Sequence, residues 1–155
     1  MNVFGCMMFR THILLGLVLA LVFLPVVSVK GVFVLAVLLG SLLPDVDLGS
    51  SSLGKFKIFR PLQVLVRHRG LFHSVTACAL ISLVFAFVLP LWAFGVFLGF
   101  AGHLVLDSFT PEGVRPFWPL RGVVKGPLRT ESLGEKGIWV GLVVVLVLLG
   151  LRLVI

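Results

Sequence analysis

The chain has 155 residues, 59% of them hydrophobic and 12% charged, with a mean hydropathy of +1.21. Soluble domains run at about half apolar and a quarter charged, so this composition excludes an ordinary soluble domain, a disordered tail and a disulfide scaffold, and leaves an integral membrane protein. The net charge of +7 reads as the cation excess of cytoplasmic loops rather than as a nucleic-acid footprint, so no nucleic-acid partner is expected.

At about 20 residues per crossing, the length suits one domain, residues 1–155, with room for roughly four to six membrane helices. Five apolar runs stand out: 12–29, 31–43, 74–89, 91–107 and 137–155. The first is longer than the hydrophobic part of a usual signal peptide, so it reads as a membrane helix. The second, at about 1.5 Å per residue, barely spans. Lys30-Gly31 and Pro90 break the runs into two tight hairpins. The runs are too long and too evenly apolar for strands, and lipid requires a backbone whose polar groups bond internally. The expected fold is therefore all-α, a polytopic membrane helical bundle of about five transmembrane helices. The two cysteines, Cys6 and Cys78, read as unpaired thiols.

Two polar connections remain, 44–73 and 108–136. With five crossings they share a side with the N-terminus. That side carries Arg10, Lys55, Lys57, Arg60, Arg67, Arg69, Arg115, Arg121, Lys125, Arg129 and Lys136, against Lys30 and Arg152 on the other. The positive-inside bias makes the loop side and the N-terminus cytoplasmic in a prokaryotic plasma membrane. Membrane lipids are the expected surroundings, and Phe117, Trp118 and Trp139 read as interface aromatics.

The chemistry lies in the four histidines and three aspartates. His12 opens the first run. Asp45 and Asp47 follow the second in Pro44-Asp45-Val46-Asp47. His68 and His73 precede the third in His68-Arg69-Gly70-Leu71-Phe72-His73-Ser74. His103 and Asp107 close the fourth. All seven fall at or near the cytoplasmic ends of four helices, although the topology argument used none of them. His103 and Asp107 are four apart and share one helix face. Pro44 is expected to end its helix, so an extended Asp45-Val46-Asp47 would aim both carboxylates the same way. Three aspartates at helix C-termini meet an unfavourable dipole, which a bound cation would offset. Gly70, and Ser74 as N-cap, suggest a loop that turns both His68 and His73 inward. His12 is the weakest member of the set, since a lone histidine at a helix start is often only an interfacial residue.

Taken together, an early His, Pro-Asp-x-Asp, His-Arg-Gly-x-x-His-Ser and His-x-x-x-Asp followed by Thr110-Pro111-Glu112-Gly113 resemble the LexA-regulated, membrane-bound metal-dependent hydrolase family (YdjM-like). The resemblance covers residues 12 to 119 and implies a hydrolase that uses metal at a membrane. The order of ligands is also similar to the helical zinc phosphodiesterases of the phospholipase C type. This chain has fewer candidate ligands than their three-zinc site, and no later His-x-x-x-Glu follows.

The expected ligands are His12, Asp45, Asp47, His68, His73, His103 and Asp107, with Asp45 or His68 as general base. The cofactor is a divalent metal, one or two ions; zinc suits the donors best, and manganese or iron also fit. Arg67 and Arg69 are candidates to hold the phosphate of a small-molecule or lipid substrate. A metal transporter and a non-catalytic protein stapled by metal use the same ligands. Transport ligands, however, usually sit at the membrane midplane. No Walker motif, Gly-x-Ser-x-Gly or His-Glu-x-x-His occurs, and the sequence specifies no oligomeric state.

Overall fold

The computed structural model describes residues 6–47, 56, 60, 71–129 and 132–154. They form five α-helices and no sheet: α1 (Cys6–Phe23), α2 (Lys30–Leu42), α3 (Val75–Val88), α4 (Pro90–Ser108) and α5 (Leu133–Val154). Three segments are long and apolar enough to cross a membrane, Phe9–Val26, Pro90–Ser108 and Leu133–Arg152. At 13 and 14 residues, α2 and α3 rise only about 20 Å, less than the roughly 30 Å of a bilayer core.

Local sequence explains most boundaries. The apolar run of α1 continues past Phe23, but Pro25 starts a 3-10 turn, Leu24–Val26, and the helix stops six residues short of the expected end at 29. At the other end, α1 begins at Cys6 rather than at His12. Ser74 caps α3 as expected: its Oγ accepts from the Ala77 N–H at 3.0 Å and donates to the Leu71 carbonyl at 2.6 Å. Pro90 opens α4 at a position where its missing N–H costs nothing.

Pro44 does not throw the chain into an extended strand. Leu43 to Asp47 instead form a 3-10 turn that continues α2. Leu43 keeps helical dihedrals, and the fixed φ of proline suits the first turn of a helix. The expected parallel display of Asp45 and Asp47 is therefore lost. The Asp47 side chain lies outside the described residues.

The hub is α4. It packs against α1, α2 and α3, while α1 also meets α2 and α5. The α2–α4 contact is backbone to backbone. A Cβ on Gly99 would strike the Val37 carbonyl, and one on Gly40 the Val96 carbonyl. Small residues allow this approach, as they do between membrane helices generally. One core cluster, Ala20, Phe33 and Val37, fills the end where α1 turns into α2. A second, Ala77, Cys78, Phe100, Leu104 and Val114, fills the other end between α3, α4 and the loop after it. There the starts of α1, α3 and α5 meet the ends of α2 and α4. By contrast, α5 turns an almost wholly exposed apolar surface outward, with 6% of its span buried, as suits a lipid-facing helix.

The connection after α4 is pinned to this end. Val114 and Val124 exchange N–H···O bonds of 2.9 Å, the Arg115 N–H donates to the His73 carbonyl at 3.1 Å, and the Val75 N–H donates to the Pro116 carbonyl at 2.9 Å. Thr110 Oγ1 donates to the Asp107 carbonyl at 2.8 Å and accepts from the Gly113 N–H at 3.3 Å. The Thr110-Pro111-Glu112-Gly113 motif thus ties the end of α4 beside Asp107.

Candidate metal centre

Four segments bring five donor side chains together. His12 comes from α1, Asp45 from the turn after α2, His73 from the lead-in to α3, and His103 and Asp107 from the last turns of α4. His12, His73, His103 and Asp107 are buried, at 3%, 0%, 2% and 2% exposure. The Asp45 side chain is 23% exposed and is the most open of the group.

The spacing between donor atoms bears on whether the cluster could hold a metal ion. His73 Nε2 lies 3.4 Å from Asp107 Oδ2 and 3.7 Å from Asp45 Oδ1. His103 Nε2 lies 3.7 Å from each of those two oxygens. His12 Nε2 lies 3.4 Å from the other Asp107 oxygen, Oδ1. Hydrogen bonds from imidazole to carboxylate would be about 2.7–3.2 Å. Ligand atoms on a tetrahedral zinc with bonds of about 2.0–2.2 Å stand about 3.3–3.6 Å apart. These separations are close to those of ligand atoms that share a cation. His103 Nε2 is buried with no hydrogen-bond partner among the described residues, a cost that a metal would remove.

The outer partners also fit. His103 Nδ1 donates to the Ser41 carbonyl at 2.8 Å. A carbonyl can only accept, so the proton of a neutral His103 sits on Nδ1 and Nε2 is bare toward the carboxylates. The His12 ring stacks on the His103 ring at 3.8 Å and 11°, and the His73 ring meets His103 edge-on at 5.5 Å and 68°. Burial alone would raise the Asp45 carboxyl, but the facing His73 ring and the charge that His103 and His12 can carry hold it below its ordinary value of 3.8. The group is ready as an anionic ligand.

Two expectations need correcting. His12 does not open its helix but lies six residues inside α1. It is not a marginal interfacial residue either, since it is buried against Asp107 and His103. His68, Arg67 and Arg69 lie outside the described residues. The sequence reading also missed a member of this end of the bundle. Glu135, in the first turn of α5, is 2% exposed and accepts a long hydrogen bond, 3.5 Å, from Thr11 Oγ1. Ser132 Oγ accepts from the Glu135 N–H at 3.3 Å. The spacing Ser132-x-x-Glu135 therefore looks like an ordinary capping box, which hides any deeper role.

Comparison with known proteins identifies the family. The family model for YdjM inner membrane protein matches residues 7–155. The chain belongs to the YdjM inner membrane protein family. It is 32% identical over 108 residues to Inner membrane protein YdjM of Escherichia coli (strain K12), covering 64% of this chain and 55% of that protein. It is 29% identical over 109 residues to Uncharacterized protein YvsG of Bacillus subtilis (strain 168), covering 66% and 68%. The match therefore spans little more than half of the first relative. No solved structure matches. With three spanning segments and membership of an inner-membrane family, the protein is a multi-pass plasma-membrane protein.

Proposed function

We propose that this protein is a membrane-embedded metal-dependent hydrolase that cleaves a phosphoester, with phospholipid headgroups as the substrate class, at the cytoplasmic face. The observation that carries the reading is that His73 and His103 each lie 3.4–3.7 Å from both Asp45 and Asp107 at one end of the bundle. In this reading those four side chains hold one divalent ion. Asp107 Oδ1 and His12 Nε2 begin a second place beside it, to which Asp47 and His68 remain candidates to contribute. Imidazole and carboxylate donors favour zinc, then manganese or iron.

A divalent ion held there would supply Lewis acidity and make water a competent nucleophile near neutral pH. The chain supplies the rest. Ser41 fixes the His103 tautomer. Asp45, the most open of the donors, is placed to take a proton on the accessible side. The exposed cations Arg115, Arg121, Lys125 and Arg129 lie on the connection pinned to this end and, with Arg67 and Arg69, suit a phosphate. With the N-terminus read as cytoplasmic from the charge bias, these cations would lie next to the headgroups. The position of the donors at one end of the bundle rather than at its middle favours an enzyme over a transporter.

The test is turnover by the full chain in nanodiscs, reconstituted with zinc and offered phosphodiesters and phospholipids. Product release that stops with chelator and returns with metal supports the proposal. A broad panel without chelator-sensitive turnover, alongside stoichiometric metal and a metal-dependent melting temperature, would leave the metal as a staple of the bundle.

A further inference from the structure

Behind the metal centre, on the side facing α5, a small cavity is lined by Thr11, His12, Leu106, Leu128, Glu135 and Ile138. Two observations meet in it. His12 is buried, its Nε2 faces Asp107, and its Nδ1 has no hydrogen-bond partner among the described residues. Glu135 is a buried carboxyl that lines the same cavity, brought there by the contact between α5 and α1. A histidine that ligates metal through Nε2 nearly always gives its Nδ1 proton to a carboxylate, carbonyl or water, which fixes the ring and raises its basicity. A buried N–H with no acceptor costs about 1–3 kcal/mol; the cavity is mostly apolar and has room for about one water, to which Thr11, His12 and Glu135 offer polar atoms.

We infer that Glu135 is a positioning residue for the metal centre: through a water in this cavity its carboxylate accepts the Nδ1 proton of His12 and so aims His12 Nε2 at the cation beside Asp107. This inference rests on the metal-centre reading for its purpose, but not for its geometry. It gives a reason for an acid to be buried at the start of a helix that is otherwise almost bare of protein contacts. It also makes the docking of α5 on α1 a condition for a complete site. Helix-dipole complementarity in the first turn would keep Glu135 near solvent, and it does not require burial against Thr11 and the His12 cavity.

The experiment is nitrogen NMR of histidine-labelled full-length protein in nanodiscs, with metal removed, followed by zinc titration. Loss of one signal in His12→Gln assigns His12. In the wild type, His12 should show the tautomer with the proton on Nδ1. Glu135→Leu should abolish that preference and weaken zinc binding at the His12 place by about 10–100-fold. Glu135→Gln keeps an accepting oxygen and should retain the tautomer. Thr11→Val removes the hydroxyl that donates to Glu135, and should lower the melting temperature without changing the His12 tautomer. If Glu135→Leu is too unstable, Glu135→Asp, which draws the carboxylate back, reads the same signal. An unchanged His12 tautomer in Glu135→Leu and Glu135→Asp, or Thr11→Val reproducing the whole effect, overturns the inference and leaves Glu135 a clamp between helices. A wild type that takes up no zinc but shows a Glu135-dependent tautomer would overturn the metal reading instead.

Discussion

His103 Nδ1 donates to the Ser41 carbonyl at 2.8 Å, and this one bond joins the end of α2 to the end of α4 while setting which nitrogen faces the carboxylates. It holds together the two segments that carry Asp45, His103 and Asp107. Metal binding should therefore depend most steeply on the α4 pair. His103→Ala and Asp107→Ala are each expected to lose metal affinity by more than the roughly 10–100-fold typical of losing an outer partner. Elemental analysis and zinc titration of the purified variants measure it. Full occupancy in either variant would remove the centre as described.

His12 provides a sharper test of how many ions are bound. Its Nε2 stands 3.4 Å from Asp107 Oδ1, the oxygen that the other histidines do not approach most closely. His12→Ala is expected to lower the metal stoichiometry by one ion and leave the ion among Asp45, His73, His103 and Asp107 in place. A variant that keeps the wild-type stoichiometry and affinity would return His12 to a packing role.

Much of this site was legible before any coordinates because its residue types are expensive in a membrane. A histidine and an aspartate four apart at the end of an apolar helix stand out against Leu, Val and Phe. Breaks at Pro90 and the cap at Ser74 were readable for the same local reasons that make them. The run around Pro44 misled because proline both ends and begins helical turns, and only the backbone tells which. His12 was undervalued because the start of α1 lies in front of it, in a stretch whose apolar pattern is weak. Glu135 was missed because a capping-box spacing explains it completely at the level of sequence. Its burial comes from α5 meeting α1, a contact between residues 124 positions apart.

Metal removal should destabilise the fold. A ligand that binds only the folded state adds about 2.7 kcal/mol at a hundredfold excess over its dissociation constant. The donors come from α1, the turn after α2, the lead-in to α3 and the end of α4, so bound metal would cross-link most of the bundle. Chelator is expected to lower the melting temperature in detergent, and zinc to restore it. No shift with zinc in protein shown to contain zinc would mean that the ion sits outside the folded cluster.

The metal-free protein should also respond to acid through Asp45. Burial works against its ionisation, but the facing His73, with His103 and His12, holds it below the ordinary 3.8. A depressed carboxyl stabilises the fold above its unfolded value, and that contribution fades as pH falls through the folded value. In chelator, the wild type should melt above Asp45→Asn near neutral pH, and the gap should close below pH 3.8. A gap that stays constant through that range would mean that Asp45 acts by packing rather than by charge.

The last prediction concerns the scaffold that makes the site possible. Gly99 in α4 lies so close to α2 that a Cβ there would strike the Val37 carbonyl and stand 2.7 Å from the Ser41 nitrogen. Backbone cannot move aside as a flexible side chain can, so Gly99→Ala must push α2 and α4 apart. Overpacking of this kind costs about 1–3 kcal/mol. The displacement falls on Ser41, whose carbonyl orients His103, and on the turn that carries Asp45. Gly99→Ala is therefore expected to lower both the melting temperature and zinc affinity, although Gly99 carries no donor. Gly141 in α5 is the control, because a Cβ there meets nothing within 4 Å. Gly141→Ala should leave zinc affinity unchanged and raise helix stability by up to about 1 kcal/mol. If Gly99→Ala melts lower but binds zinc as tightly as the wild type, the α2–α4 contact supports the fold without setting the geometry of the centre.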